Sequence, residues 1–207
     1  PRAQWDPVDP SQPMVADGGP RPNIQPVAPP LVMFAGGYAP GTIVIDTTNR
    51  RLYHVNDNKT AYVYPISVGK EGFAWQGIEK VSRIAAWPDW YPPAEMRERR
   101  PELPEKMLGG VKNPLGAKAI YLGSTLYRIH GTDAPKTIGR AESSGCIRML
   151  NENVVHLASL VNVGTEVIVT PELDPAAVVA AIPQPAPAAR PAARQTASGD
   201  FFDTLWW

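Results

Sequence analysis

Apolar and polar positions alternate along the middle of this chain in short runs separated by turn residues, the pattern of half-buried strands. Thr42-Ile43-Val44-Ile45-Asp46 is short and β-branched, Arg51-Leu52-Tyr53-His54-Val55 alternates polar with apolar residues, and residues 61–69 form a third run. Only the turns at 47–50 and 56–59 separate them, so they form an antiparallel meander; parallel pairing needs longer crossovers. Further strands are predicted at 79–86, 117–122, 126–130 and 166–170, with Gly123-Ser124-Thr125 turning between the second and third. Cys146-Ile147-Arg148-Met149-Leu150, if extended, places Cys146 and Arg148 on one face and Ile147 on the other. Helical spacing is confined to a turn or two at 94–100 and to 151–161, where Asn151 is a candidate N-cap.

The flanks read differently. Residues 1–30 are rich in Pro, Asp, Gly and Gln and form an irregular leader, with Val32-Met33-Phe34 as a short strand or arm on the body. Between 70 and 113, Trp75, Trp87 and Trp90 are interspersed with prolines, which predicts an ordered lid or cleft wall, or a purely structural flap. After residue 171 an Ala/Pro run is a linker by composition. The aromatic end at 201–207 is expected to dock on its own domain or on a partner. Three parts follow: a Pro-rich extension at 1–38, a β-rich domain at 39–171, and a linker with an aromatic tail at 172–207.

Composition sharpens this outline. A hydrophobic content of 43% over 207 residues suits one packed domain with extensions, and 24 prolines concentrate at the ends. Balanced charge, 20 basic against 20 acidic residues, argues against nucleic acid or an anionic membrane as partner. No apolar run reaches the roughly 18–20 residues of a transmembrane helix. The chain begins with Pro1, as expected of a processed or trimmed product, and a removed signal peptide is one explanation. No Cys/His/Asp/Glu grouping has ligand spacing, so neither a metal nor another cofactor is expected.

The single cysteine, Cys146, and one of three histidines, His130, fall within one short segment. A thiol is mostly protonated at neutral pH, with an ordinary pKa of about 8.5, and a neighbouring imidazole can take its proton to leave a nucleophilic thiolate. His130 sits at a predicted strand end, a rigid mounting. Arg148 and Arg140 lie close in sequence and favour a lowered thiol pKa. The plain alternative is an inert core thiol beside a structural histidine. His54 and His156 read as surface or structural residues. Arg128, Lys136 and Arg140 read equally well as a carboxylate-recognising set or as a solvated basic rim.

The order His130-Gly131-Thr132, Ile138-Gly139, Ser143-x-Gly145-Cys146-Ile147-Arg148-Met149 and Asn151 resembles the signature of the L,D-transpeptidases, the YkuD domain family. Pro65-Ile66-Ser67-Val68-Gly69-Lys70, Asn113-Pro114-Leu115-Gly116-Ala117 and Val163-Gly164-Thr165-x-Val167 are similar to further blocks of that family, so the likeness covers roughly 39–170. It implies a mainly β fold, an L,D-transpeptidase-like β-sandwich with one or two short helices and a long irregular lid loop. It also implies a periplasmic cysteine acyltransferase acting on peptidoglycan stem peptides. Cys146 would attack the bond between diaminopimelate and D-alanine, form a thioester, and pass the acyl group to an amine. That amine is another stem, giving a 3→3 cross-link, or a group on an outer-membrane protein or lipoprotein.

Carried over residue by residue, Cys146 is the nucleophile, His130 the base and the Gly131 backbone carbonyl its orienting group. Arg148 positions Cys146 or holds a substrate carboxylate. Backbone N–H groups at Gly145 and Cys146 are the expected oxyanion donors. Ser143, Ser144, Thr132, Arg140, Tyr121 and Trp90 form the expected substrate-binding set. Ser144 stands where the commoner motif has histidine, and Trp75-Gln76-Gly77-Ile78 departs from the Thr-Pro-x-Gly of many relatives. Two rivals remain at this level: a sortase-like protein transpeptidase, disfavoured because Arg148 lies only two residues past Cys146, and a catalytically idle wall-binding module.

Overall fold

A computed structural model of the chain describes residues 14–70, 75–143 and 145–181. Its strands are β1 (Val15–Ala16), β2 (Leu31–Phe34), β3 (Ile43–Asp46), β4 (Arg51–Val55), β5 (Thr60–Pro65), β6 (Val68–Gly69), β7 (Gly77–Ala86) and β8 (Lys106–Met107). They continue as β9 (Lys118–Leu122), β10 (Arg128–His130), β11 (Ala141–Ser143), β12 (Ile147–Arg148), β13 (Glu166–Thr170) and β14 (Val178–Ala181). The helices are α1 (Ala94–Arg99) and α2 (Asn151–Leu160).

Ten strands join one mixed sheet in the order β12-β10-β9-β7-β13-β3-β4-β5-β2-β14. The predicted meander is present as β3-β4-β5, antiparallel throughout. Parallel pairing occurs where a long connection permits it, between β10 and β12 and between β13 and β3. One core cluster draws Ile43, Ile45, Leu52 and Tyr64 from one half of the sheet and Ile120, Ile129 and Ile147 from the other, with Val154 and Leu157 of α2. A sheet curled over itself produces such a shared core. The expected sandwich is thus made from one continuous sheet, and each fully buried Ile or Leu contributes about 1.5–3 kcal/mol. A second cluster, including Phe34, Val44, Tyr53 and Leu173, covers the other face of β2–β5.

Two stretches are more ordered than their composition predicts. The described part of the leader forms β1, paired with β8, and the predicted short strand or arm at 32–34 is present as β2, paired with β5. Between them it docks largely through carbonyls, which proline keeps although it lacks an N–H: Val111 N–H donates to Pro20 O (3.0 Å) and Val63 N–H to Pro30 O (2.9 Å). Arg21 Nε donates to Gly109 O (2.8 Å). β14 in turn pairs with β2, so the sheet extends beyond residues 39–171 on both sides.

The described part of the segment predicted as an ordered lid or cleft wall is held as a wall. Trp90 and Met107 exchange backbone hydrogen bonds (2.8 Å each), and the buried Asn113 amide donates to the carbonyls of Pro88, Met107 and Leu108. No described helix is long and apolar enough to cross a membrane. The aromatic tail and the Ala/Pro linker beyond residue 181 lie outside the described residues.

Candidate active site

Four strands at one end of the sheet each carry an isoleucine between two residues of other character: Arg83-Ile84-Ala85, Ala119-Ile120-Tyr121, Arg128-Ile129-His130 and Cys146-Ile147-Arg148. The register aligns Ile84, Ile120, Ile129 and Ile147 in one row facing the core. Their neighbours must therefore face the other way. One outward row runs Ala85, Ala119, His130, Arg148. The adjacent row runs Arg83, Tyr121, Arg128 and, one step back from the Ile129–Ile147 pair, Cys146. The thiol is the lateral neighbour of Arg128 and the diagonal neighbour of His130. Arg83 joins its row because the pairing slips between Val81 and Arg83. Without that bulge, residue 83 would share the core-facing side of Val81, which is buried.

The segment bearing Cys146 is tied down on its far side by the Pro65–Lys70 block. Ser67 and Arg148 exchange backbone hydrogen bonds (2.9 Å each), and Lys70 N–H donates to Ser143 O (3.0 Å). Ser143 is buried, its hydroxyl donating to Cys146 O (2.6 Å) and accepting from Gly145 N–H (3.2 Å). It therefore shapes the loop, its hydroxyl engaged within it. Gly145 has φ +106°, a conformation an L side chain resists. Ser143 thus engages the Gly145 N–H, one of the two expected oxyanion donors. Ser144 lies outside the described residues.

His130 is buried, and its Nδ1 lies 2.7 Å from the Gly131 carbonyl. A carbonyl only accepts, so Nδ1 carries the proton and Nε2 is left as the basic nitrogen. The expected Gly131 orienting contact is thus present. Burial is the main reason the ring's pKa falls, to about 3; the Arg148 and Arg128 charges add to the fall, and the Gly131 and Pro114 carbonyls oppose it.

The thiol departs from expectation. Burial pushes Cys146 up, and the opposing pull of Arg128, through its charge and its backbone N–H, and of Arg148 does not overcome it. Arg140 takes no part. Cys146 Sγ is also set to donate to Leu126 O at 3.8 Å, a contact available to the neutral thiol. The resting pair is a neutral thiol beside a neutral imidazole.

Asn151 was expected to cap α2 but does something else. Leu150 occupies the N-cap position without a side-chain cap. The Asn151 carboxamide instead accepts from Ala117 N–H (2.9 Å) and Thr132 N–H (3.2 Å) and donates to Thr132 O (2.9 Å). A Cβ at Gly116 or Gly131 would collide with its Oδ1, which explains glycine at both positions. Thr132 is buried and spoken for: besides those contacts, its hydroxyl accepts from Ala134 N–H (3.0 Å). It frames the base.

We expect Asn151→Ala to lower unfolding free energy by about 2–4 kcal/mol, because two N–H groups and a carbonyl lose their partner. Chemical denaturation monitored by tryptophan fluorescence checks this, and a loss below about 0.5 kcal/mol contradicts the hub assignment.

Tyr121 and Trp90 line a cavity of about 350 Å³ with Arg83, Arg128, Asp89 and Tyr91. Arg140 is exposed and not part of it. Trp75 stacks on Tyr127 (4.8 Å between centroids), bracing the turn that carries Leu126. His54 is buried, and His156 is half-buried with Nδ1 2.8 Å from the Tyr64 hydroxyl, both away from the thiol and consistent with structural roles. No described group of three or more His, Cys, Asp or Glu is arranged to hold a metal.

Comparison with known proteins agrees with the fold. The family model for the L,D-transpeptidase catalytic domain (YkuD) matches residues 40–169, most of the chain, and the chain belongs to this family. YbiS of Escherichia coli K12, described as a probable L,D-transpeptidase, is 40% identical over 134 residues, 60% of this chain and 43% of that protein. The chain therefore spans less than half the length of that relative. The catalytic domain of an Enterococcus faecium L,D-transpeptidase matches at TM-score 0.51 and 20% identity, covering 65% of this chain and all of that one, a likeness of fold. A Brucella melitensis structure described as a probable carnitine operon oxidoreductase is 47% identical over 68% of this chain and 91% of that one, at TM-score 0.47. No activity is carried over from that name.

Proposed function

We propose that the protein is a periplasmic peptidoglycan L,D-transpeptidase in which Cys146 forms a thioester with a tetrapeptide stem. The observation that carries this reading is the placement of Cys146 diagonally to His130 on one sheet face, with His130 Nδ1 held by Gly131 O. Together with the charge states above, this suits a stepwise transfer. As the donor carbonyl approaches, His130 Nε2 takes the thiol proton and sulfur attacks the carbonyl carbon. The Cys146 N–H and the nearby Arg148 charge stabilise the tetrahedral oxyanion. Collapse breaks the carbon–nitrogen bond, the departing D-alanine amine takes the proton from His130, and a thioester remains. An acceptor amine then attacks, His130 receives its proton, and sulfur leaves to be reprotonated.

Acyl-enzyme formation before acceptor attack gives ping-pong kinetics. The test is incubation with purified tetrapeptide muropeptides, following free D-alanine and cross-linked product by mass spectrometry. Release of D-alanine with a new dimer is expected; folded protein that releases none contradicts the proposal. Protein acceptors are tested by adding a lysine-terminated peptide as a competing amine.

A further inference from the structure

We propose that the cavity beside Cys146 is a carboxylate subsite for the donor peptide, with Arg128 and Arg83 as its recognition side chains and Tyr121 as the post that holds them. The inference rests on the transpeptidase reading and names residues that the family motif does not contain.

Four observations on the page support it. First, Arg83, Tyr121, Arg128 and Cys146 form one lateral row across four strands, and the first three line the cavity, so the cavity lies on the same sheet face as the thiol. Second, the bulge at Ser82 sets which side of β7 faces the core beyond Val81. It interrupts the β7–β9 pairing and its effect is to turn Arg83 onto the cavity face. Third, Arg83 Cζ lies 3.8 Å from the Tyr121 ring centroid and Arg128 Cζ 5.5 Å from the same centroid. A guanidinium stacked on a ring keeps its N–H edge free, the edge that binds a carboxylate through two parallel hydrogen bonds.

Fourth, the positive charge in the cavity is not cancelled. Among the described residues neither Arg83 nor Arg128 has a carboxylate partner. The acid in the cavity wall, Asp89, is already paired with Lys106 (2.7 Å) and accepts from Gly109 N–H (2.9 Å).

The spacing assigns the contacts. Neighbouring strands lie about 4.8 Å apart, which puts Arg128 one strand from the attacking sulfur. The terminal carboxylate of the leaving residue is one residue, roughly 3.8 Å, beyond the attacked carbonyl. Arg128 therefore meets that carboxylate. Arg83, further along the row, meets a second carboxylate of the same peptide. Binding through the leaving residue's carboxylate also distinguishes a stem with a free terminus from a chain continuing past that point.

The test compares two synthetic donors, a tetrapeptide acid and its C-terminal carboxamide, with wild type, Arg128→Gln, Arg83→Gln and Arg83→Lys, fold being checked by circular dichroism. Wild type is expected to prefer the acid by at least about tenfold in kcat/KM, the range of a charge-assisted bidentate contact. Arg128→Gln is expected to bring that ratio to about one. Arg83→Gln is expected to raise KM for the acid about tenfold with a smaller change in kcat, and Arg83→Lys to restore part of the loss. Equal use of acid and amide by wild type overturns the subsite and leaves the transpeptidase reading standing. So does an unchanged ratio in Arg128→Gln, or an unchanged KM in folded Arg83→Gln. Failure of wild type to form a thioester with either donor overturns both.

Discussion

Cys146→Ala is expected to lower turnover of a tetrapeptide donor by on the order of 10⁴ or more while leaving the fold intact. The loss is large because no other thiol exists in the chain and the reaction would lose its covalent route. The fold survives because the loop is held by groups other than the sulfur: Ser143 Oγ on Cys146 O, and Ser67 and Lys70 on the backbone at either side. The Sγ contact to Leu126 O, at 3.8 Å, is long and contributes little to stability. Steady-state release of D-alanine, together with an unchanged thermal transition, checks both halves. Turnover within tenfold of wild type removes Cys146 from the role of nucleophile.

His130→Gln is expected to lower kcat/KM by roughly 10³ and to change its pH dependence. In the native protein His130 is neutral down to about pH 3, and burial has raised the Cys146 thiol. The reactive form is then expected to be the neutral pair, and wild-type kcat/KM to be flat from about pH 5 to 8, without an inflection near the ordinary histidine value of 6.5. Without the base, only the small thiolate fraction reacts, so the residual rate of the variant rises about tenfold per pH unit.

The same shift has a consequence for stability. The folded-state pKa of His130 is depressed, so its contribution is fully present above about pH 6.5 and is lost as pH falls towards 3. Each unit in that window costs about 1.4 kcal/mol for this one group. His54 and His156, also lowered chiefly by burial, act in the same direction. Denaturation at pH 7 and pH 5 should therefore show a shallower acid loss in His130→Gln than in wild type; equal slopes contradict the burial argument.

Much of this was readable from residue order. The strand runs at 42–46, 51–55 and 166–170 fall almost residue for residue on β3, β4 and β13, because period-two alternation bounded by turns has few other solutions. The expectation that Cys146 and Arg148 share a face fits the β10–β12 register. Features that depend on long-range placement were not legible. The bulge at Ser82 leaves no mark in the sequence, so Arg83 was missed although Arg128 was noted. Asn151 fits the pattern of a cap, and only the approach of 117 and 132 to its side chain reveals a hub.

The upward shift of the thiol is not legible in the sequence, because charges can be counted along a chain and desolvation cannot. Residues 14–30 read as irregular because proline-rich segments lack alternation, yet they dock largely through their carbonyls.

Intact-protein mass measurement after brief exposure to a tetrapeptide donor, with proteolytic mapping of the modified peptide, tests the central claim most directly. The account predicts a mass gain equal to the donor minus D-alanine, carried on the peptide containing Cys146, released by hydroxylamine and absent from Cys146→Ala. No gain in folded wild-type protein, or the same gain in Cys146→Ala, would contradict it.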